Sequence, residues 1–161
     1  QIWKNNIKLN PEKWIIKKFR SATSSWDVYH ESVGAGKRLV LNTTDAEAST
    51  SSYQNVNSST FDVHAGNNDN GATMIAYCWS EISGFSKFST YTGNGSSTGP
   101  VVTTGFKPKF ILIKSTGVGH WMMIDTERNN YDWLFANLAD AQASDAADHA
   151  IDILDTGFQI K

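Results

Sequence analysis

The sequence predicts an all-β protein, an antiparallel jelly-roll-like β-sandwich built from an internal duplication. Three observations predict it: a composition rich in small polar and aromatic residues, short apolar stretches between turn-forming clusters, and a set of motifs that occurs twice. Aromatic and β-branched residues fit the half-buried surface of a sheet, and Ser, Asn and Gly favour the turns between strands.

The composition also excludes several classes of protein. Only 19% of the 161 residues are charged, the net charge is -2, and the chain has six Trp and one Cys. One cysteine cannot form an internal disulfide, and a slightly acidic chain lacks the basic face that nucleic-acid binding requires. The apolar stretches are strand-sized and far shorter than a membrane-spanning helix. We therefore expect no nucleic-acid partner and no membrane insertion.

Most apolar stretches alternate or run continuously for four to seven residues, which indicates strands rather than helices. The predicted strands are residues 13–19, 26–30, 38–41, 60–64, 73–80, 87–92, 101–103, 109–114, 121–125, 133–135 and 151–154. The pair Asn94-Gly95 predicts a tight hairpin turn, since both residues tolerate positive φ. Residues 140–149 are rich in Ala, so a short exposed helical turn and irregular coil are equally good readings there.

Several motifs recur in the same order along the chain. Residues 11–17 resemble residues 108–114, Trp26 matches Trp121, Asn42 matches Asn137, and residues 61–64 match residues 158–161. Such a series predicts an internal repeat. We expect a first β repeat, with the N-terminal segment, at residues 1–95 and a second, incomplete β repeat at residues 96–161.

The second repeat ends where the first continues through residues 73–80. The strands it lacks would come from residues 1–10, from a partner chain, or from sequence outside this chain. The first residue is Gln1, and we expect the chain to be a piece of a longer polypeptide.

Two blocks of the chain resemble a known group of proteins. Residues 77–95 (YCWSEISGFSKFSTYTGNG) and residues 99–108 leading into 110–114 are similar to a pattern in marine bacteriophage virion proteins. That family is an uncharacterised tandem β-domain of tail or fibre-like polypeptides and is distantly similar to concanavalin A-like sandwiches. The resemblance covers residues 14–161 and implies a structural or host-contact protein of the virion, with no catalytic residues to transfer.

The carboxylates of Asp125 and Glu127 are the one candidate pair for acid–base chemistry. Two positions apart in a strand, they would share a face, as a glycosidase's two carboxylates face one cleft. The adjacent Arg128 favours the simpler interpretation of an ion pair at a strand end.

No cofactor or metal ion is expected. The histidines His30, His64, His120 and His149 lack the spacing of a zinc site. The loop 66–71 resembles a calcium loop but offers only Asp69 as a carboxylate, so a turn is favoured. Alternation in residues 74–80 places Cys78 on the face opposite Tyr77 and Trp79, and predicts a packing role for its thiol.

Exposed tyrosines are the remaining candidates for binding. Tyr53, Tyr91 and Tyr131 lie near predicted loops, and flat aromatic rings with polar neighbours suit the binding of sugars or of a partner surface. Trp26 and Trp121 hold equivalent places in the repeat, which predicts core packing for both.

Together with the resemblance, these observations predict a non-enzymatic structural protein of a bacteriophage virion, in its tail, fibre or capsid surface. Its partners would be other virion subunits, including copies of itself, and glycans of the host surface. Two alternatives stay open: a carbohydrate-binding module of a secreted protein and, less favoured, a polysaccharide-cleaving enzyme.

Overall fold

The computed structural model describes residues 12–63, 71–128, 132–144 and 151–161. Its regular structure is strand throughout, apart from one turn of 3-10 helix at Glu31–Val33, and every ladder between strands is antiparallel. The all-β antiparallel prediction is confirmed. Within these residues no helix is long and apolar enough to cross a membrane.

The first sheet has five strands in the order β4-β3-β2-β1-β5. Its strands are β1 (Glu12–Phe19), β2 (Asp27–His30), β3 (Lys37–Val40), β4 (Ala48–Ser49) and β5 (Met74–Ser80). The first four form a meander in chain order, and β5 returns to pair with β1 on its other side.

The second and third sheets come from the rest of the chain. β7 (Phe110–Lys114), β8 (Trp121–Asp125), β9 (Asp132–Phe135) and β10 (Ala143–Ser144) form a second meander in the order β10-β9-β8-β7. β6 (Val101–Thr103), β11 (Ile151–Leu154) and β12 (Gly157–Ile160) form a third sheet in the order β11-β12-β6.

Three hydrophobic clusters form the core, and two of them join one sheet to another. Ile16, Val28 and Leu39 of the first sheet share one cluster with Trp121 of the second. A second cluster joins the β7–β8 pair to the third sheet, and a third cluster lies on the other face of the first sheet. Trp121 is buried there and Trp26 packs against the same cluster, so the core role predicted for both is confirmed.

Several predicted elements differ from the observed ones. Residues 60–63 and 87–92 form no strand, and His64 lies outside the described residues. Asp62 instead accepts hydrogen bonds from the backbone N–H groups of Gln54 and Asn55, which bends this segment back on itself. Gly95 has the expected positive φ of 68°, but no strands flank it, so the turn at residues 94–95 is not a hairpin.

Three strands were missed, and the predicted helical turn is partly corrected. β4 and β10 have two residues each and no apolar pattern, while β12 opens on Gly157. In the Ala-rich segment 140–149, residues 143–144 are strand, and residues 145–149 lie outside the described part of the chain.

The two meanders share a distinctive set of hydrogen bonds. The backbone N–H of Trp26 donates to Asn42 Oδ1 at 2.8 Å, and that of Trp121 donates to Asn137 Oδ1 at 2.9 Å. Both asparagines follow their tryptophan by 16 residues. This correspondence supports the internal duplication, which stays a prediction, as does the jelly-roll topology.

The pairing of the strands shifts the alignment of β1 with β7 by one residue from the alignment that the sequence motifs predicted. Ile16 pairs with Val28 in the first meander, and Leu112 pairs with Met123 in the second. With Trp26 matched to Trp121, Lys114 therefore corresponds to Lys18 and not to Lys17. Lys18 Nζ and Lys114 Nζ each donate to the carbonyl oxygen of the next residue, and the inward-facing Lys17 has no counterpart in Lys114.

Candidate functional site

A row of four aromatic rings crosses one end of the first sheet. Tyr77 and Trp79 of β5, Trp14 of β1 and Phe88 form this aromatic row. Neighbouring ring centroids lie 6.2 Å apart from Tyr77 to Trp79, 4.9 Å from Trp79 to Trp14, and 6.0 Å from Trp14 to Phe88. The first two contacts are stacked, with interplanar angles of 29°.

Strand alternation places the row on one face. In β5, Ala76 and Cys78 pack against the core on one side, so Tyr77 and Trp79 point to the other. Trp14 pairs directly with Trp79 across the β1–β5 ladder, which brings their rings together on that face. Tyr77 is 44% exposed and Trp79 is 38% exposed, so both present ring surface to solvent.

A polar groove of about 640 Å³ adjoins the row. Phe88 belongs to both, and the charged residues of the groove are Lys13, Glu31, Glu81 and Lys87. Lys13 Nζ pairs with Glu31 Oε1, and Lys87 Nζ donates to Glu81 Oε1 at 2.7 Å. The hydrogen bond from Lys87 lowers the pKa of the Glu81 carboxyl. The groove thus offers paired charges beside a flat apolar surface.

His30 lies next to the ring of Phe88, with the ring centroids 6.4 Å apart. Its Nδ1 accepts the backbone N–H of Ser32 at 3.1 Å, which caps the 3-10 helix. Burial lowers the pKa of His30, so the imidazole is held neutral and fixed in orientation.

This arrangement suits the binding of a ligand with flat apolar faces and polar edges. Aromatic rings can stack on the C–H faces of a sugar ring, while carboxylates, ammonium groups and backbone groups can bind its hydroxyls. Phe88 joins the two kinds of surface.

Of the three tyrosines predicted as a binding surface, Tyr53 is not accessible to a ligand. Tyr53 is fully buried, with its ring against Tyr29 and Phe61 and a positive φ of 63°. Its predicted exposure is therefore wrong, because the loop that carries it folds over the first sheet and fills the core. Tyr91 is 38% exposed, and Tyr131 lies outside the described residues.

The aromatic row was missed although the sequence carried a signal for it. Alternation in residues 74–80 had placed Tyr77 and Trp79 on one face. The sequence does not show that the second sheet stops short of this part of that face, because that depends on how the sheets pack.

The carboxylate of Asp125 is tied to its neighbours. It accepts hydrogen bonds from Arg128 Nε at 3.1 Å and from the backbone N–H groups of Glu127 and Arg128. These bonds, that of Arg128 above all, lower the pKa of Asp125. A general acid of a glycosidase needs a raised pKa instead, so the geometry favours the ion-pair interpretation.

A charged cluster is buried on the other face of the first sheet. Arg38 Nη1 donates to Asp27 Oδ1 at 2.8 Å, and Lys17 Nζ lies 3.6 Å from Asp27 Oδ2. Lys17 Nζ also lies 5.6 Å from the centroid of the Tyr53 ring. Burial lowers the pKa of Lys17 and raises that of Tyr53. Lys17 is thus a strongly desolvated ammonium beside a single carboxylate.

Comparison with known proteins gives one match. A family model described as "Domain of unknown function (DUF7483)" matches residues 5–161. Among curated proteins and among solved structures, no match was found.

Proposed function

The chain belongs to the DUF7483 family, and we propose that it is a non-enzymatic structural protein of a bacteriophage particle that contacts host surface glycan through the aromatic row. The stacked rings of Tyr77, Trp79 and Trp14 carry this proposal, and those of Tyr77 and Trp79 are exposed. Adjacent exposed aromatic rings of this kind are typical of a surface that a ligand or partner covers.

The glycan is favoured over an apolar ligand by what surrounds the rings. The groove beside Phe88 is lined mainly by polar and charged groups, among them Lys13 and Glu31. Sugars combine C–H faces with a rim of hydroxyls and therefore match a surface that is aromatic on one side and polar on the other. A purely apolar ligand would form no hydrogen bonds with this polar lining.

The virion role is supported by the resemblance of residues 77–95 to phage tail and fibre-like proteins. Three members of the aromatic row, Tyr77, Trp79 and Phe88, lie within that block. The proposed protein needs no cofactor, resides in the extracellular particle, and assembles with other virion subunits, copies of itself included. It contacts neither nucleic acid nor the membrane interior.

Glycan binding is tested by removing one ring of the row at a time. Trp79→Ala and Tyr77→Ala should each weaken binding to host surface polysaccharide by about fivefold to 150-fold, measured by glycan array and calorimetry. Each variant loses about 1–3 kcal/mol of ring contact (a stacking estimate). Phe85→Ala is the matched control, since Phe85 is 75% exposed and lies outside the row. Equal binding by all three variants would contradict the proposal.

The leading alternative is a carbohydrate-binding module of a secreted protein, which the same aromatic row favours. Labelled antibody against the chain should decorate purified phage particles if the virion role is right. Recovery of the chain from the culture medium, with unlabelled particles, would favour the secreted module.

A polysaccharide-cleaving enzyme is the second alternative. Incubation of the chain with host polysaccharide should release no reducing ends, and Asp125→Asn should leave that result unchanged. Release of sugar fragments that Asp125→Asn abolishes would support the enzyme instead.

A further inference from the structure

The strand β7 has a neighbour on one side only. β1 pairs with β2 on one edge and with β5 on the other, whereas β7 pairs with β8 alone in the part of the chain that the structure describes. A free strand edge presents a row of backbone donors and acceptors, which makes it a template for another strand.

The two strands hold equivalent places in their meanders. In the meander of β1, the backbone N–H of Trp26 donates to Asn42. In the meander of β7, the backbone N–H of Trp121 donates to Asn137 in the same way. Lys18 and Lys114 close the two strands with the same bond from Nζ to the next carbonyl oxygen. Among the described residues, the edge of β7 without a neighbour is therefore the edge that β5 occupies on β1.

The backbone direction can be assigned on this edge. The carbonyl oxygen of Lys109 accepts the backbone N–H of Thr126 at 3.1 Å, so residues 109, 111 and 113 bond toward β8. The N–H and C=O groups of Phe110, Leu112 and Lys114 then point outward. On β1, the backbone N–H of Arg20 donates to the carbonyl oxygen of Thr73, so alternate residues from Arg20 bond toward β5. These are Trp14, Ile16 and Lys18, the equivalents of Phe110, Leu112 and Lys114.

The side chains leave this edge open to a partner. Residues 110–113 are Phe-Ile-Leu-Ile, and Phe110 is 55% exposed. Lys114, the charged residue of the strand, is folded back, with Nζ donating to the carbonyl oxygens of Ser115 at 2.6 Å and Gly117 at 2.8 Å. Charges and prolines within a strand are the usual protection of an edge, and residues 110–113 carry neither.

We propose that β7 pairs antiparallel with β7 of a second copy of this chain, with Leu112 of one copy opposite Leu112 of the other. In this register Phe110 of one copy lies opposite Lys114 of the other. The outward backbone groups of Phe110, Leu112 and Lys114 in each copy therefore all meet outward backbone groups of the other copy. The second sheets of the two copies become one continuous sheet across a twofold axis.

The second copy is favoured because the edge is complementary to itself. A twofold interface requires that each residue meet its own symmetry mate or a reciprocal pair, and the register centred on Leu112 satisfies this with no like charges directly opposed. The exposed ring of Phe110 gains the aliphatic stem of Lys114 as a cover. This inference rests on the proposed assembly of the chain with its own copies and names the surface that it uses.

The solution mass of the full chain tests the interface. We expect a dimer by analytical ultracentrifugation, and Phe110→Pro should weaken it at least tenfold, because proline removes an outward N–H and leaves the ladder to β8 intact. Phe110→Ala is the matched control: it keeps the N–H and should weaken the dimer less than Phe110→Pro. A wild-type monomer at all concentrations, or a dimer that Phe110→Pro leaves unchanged, overturns the proposal.

Cross-linking tests the register even where proline impairs folding. In a Cys78→Ser background, Leu112→Cys should form a covalent dimer on oxidation, since directly opposed Cα atoms lie about 5.5 Å apart. Phe110→Cys should not, but Phe110→Cys with Lys114→Cys should. Cross-linking of Phe110→Cys alone overturns the register.

Two further outcomes separate this inference from the proposed function. A wild-type monomer that still binds glycan overturns the β7 interface and leaves the glycan role standing. A monomer that instead captures a synthetic peptide with the sequence of residues 73–80 assigns the edge to a strand like β5 and overturns pairing with a second copy.

Discussion

The indole Nε1–H of Trp121 donates to the carbonyl oxygen of Val40 at 2.9 Å, in a fully buried position. The bond joins β8 of the second sheet to β3 of the first, at the end of β3 where Leu41 turns back to bond with Trp26. It fixes the position of one sheet on the other in a way that apolar packing alone does not, because a hydrogen bond has a direction.

Trp121→Phe should lower the free energy of unfolding by about 0.5–1.5 kcal/mol more than Trp133→Phe, the usual net contribution of one hydrogen bond. The carbonyl oxygen of Val40 keeps its other partner, the backbone N–H of Thr43 at 3.4 Å. Trp133 is the matched control, because its buried Nε1 has no hydrogen-bond partner among the described residues. Urea unfolding measures both. Equal losses in the two variants would mean that the bond to Val40 contributes nothing.

Asp27→Asn and Lys17→Met should have opposite consequences in the buried charged cluster. Asp27→Asn leaves the cations of Lys17 and Arg38 without their carboxylate and should cost about 3–5 kcal/mol. Lys17→Met removes the desolvated ammonium while Asp27 keeps Arg38, so stability should change little or rise. Thermal unfolding of the two variants and of the wild-type protein measures both changes in stability. A large loss in Lys17→Met would show that the ammonium stabilises the fold.

His30 should make stability depend on pH in the acid range. Because burial lowers its pKa below 6.5, the unfolded chain takes up a proton that the folded protein resists. The contribution of neutral His30 to stability is therefore fully present above pH 6.5, and it is lost as the pH falls through the pKa of His30 in the folded protein. His30→Asn, which can still accept the N–H of Ser32, should remove this loss of stability between pH 7.5 and 5. Identical pH profiles for the two proteins would contradict the assignment.

Gly157→Ala should disrupt the third sheet. A Cβ at this position would lie 2.1 Å from the carbonyl oxygen of Val102 on β6, so backbone must move, at a cost of about 1–3 kcal/mol or more. Gly119→Ala is the control, since its Cβ would meet only Ser115 Cβ at 3.6 Å. Denaturant midpoints should separate the two variants, and a harmless Gly157→Ala would mean that the β6–β12 ladder is looser than described.

Asn42→Ala and Asn137→Ala should cost similar amounts, about 0.5–1.5 kcal/mol each, if the two meanders are equivalent. Each loses the side-chain hydrogen bond to the backbone N–H of its tryptophan. Asn137 also loses the exposed contact of its Nδ2 with His120 Nδ1 at 3.1 Å, which should add little because water can replace it. Asn42→Asp and Asn137→Asp keep the acceptor oxygen and serve as controls. Strongly unequal losses would weaken the case for an internal duplication.

The sequence predicted the strands that alternate clearly. β6, β8 and β11 have the predicted bounds, and β1 and β5 differ by one residue at one end. Residues 60–63 and 87–92 looked equally good but form no strand. In the first segment the carboxylate of Asp62 bonds to the backbone N–H groups of Gln54 and Asn55, which a carbonyl oxygen of a paired strand could otherwise have done. Local pattern cannot tell these two sources of partners apart.

The candidate site was harder to predict for the same reason. The alternation of β5 separated Trp79 from Cys78, but which face another layer covers depends on how the sheets pack. Tyr53 shows the converse: a tyrosine in a polar loop became the largest fully buried side chain, with φ of 63°. Its burial depends on tertiary contacts with Tyr29 and Phe61 that no local pattern encodes.

The cluster that holds Ile16, Val28, Leu39 and Trp121 draws on both predicted repeats. Neither repeat contains a complete version of it, so separating the chain near residue 95 would expose apolar surface on both fragments. The two halves are therefore expected to melt in a single cooperative transition, and a truncated chain to be prone to aggregation rather than to behave as a smaller native domain.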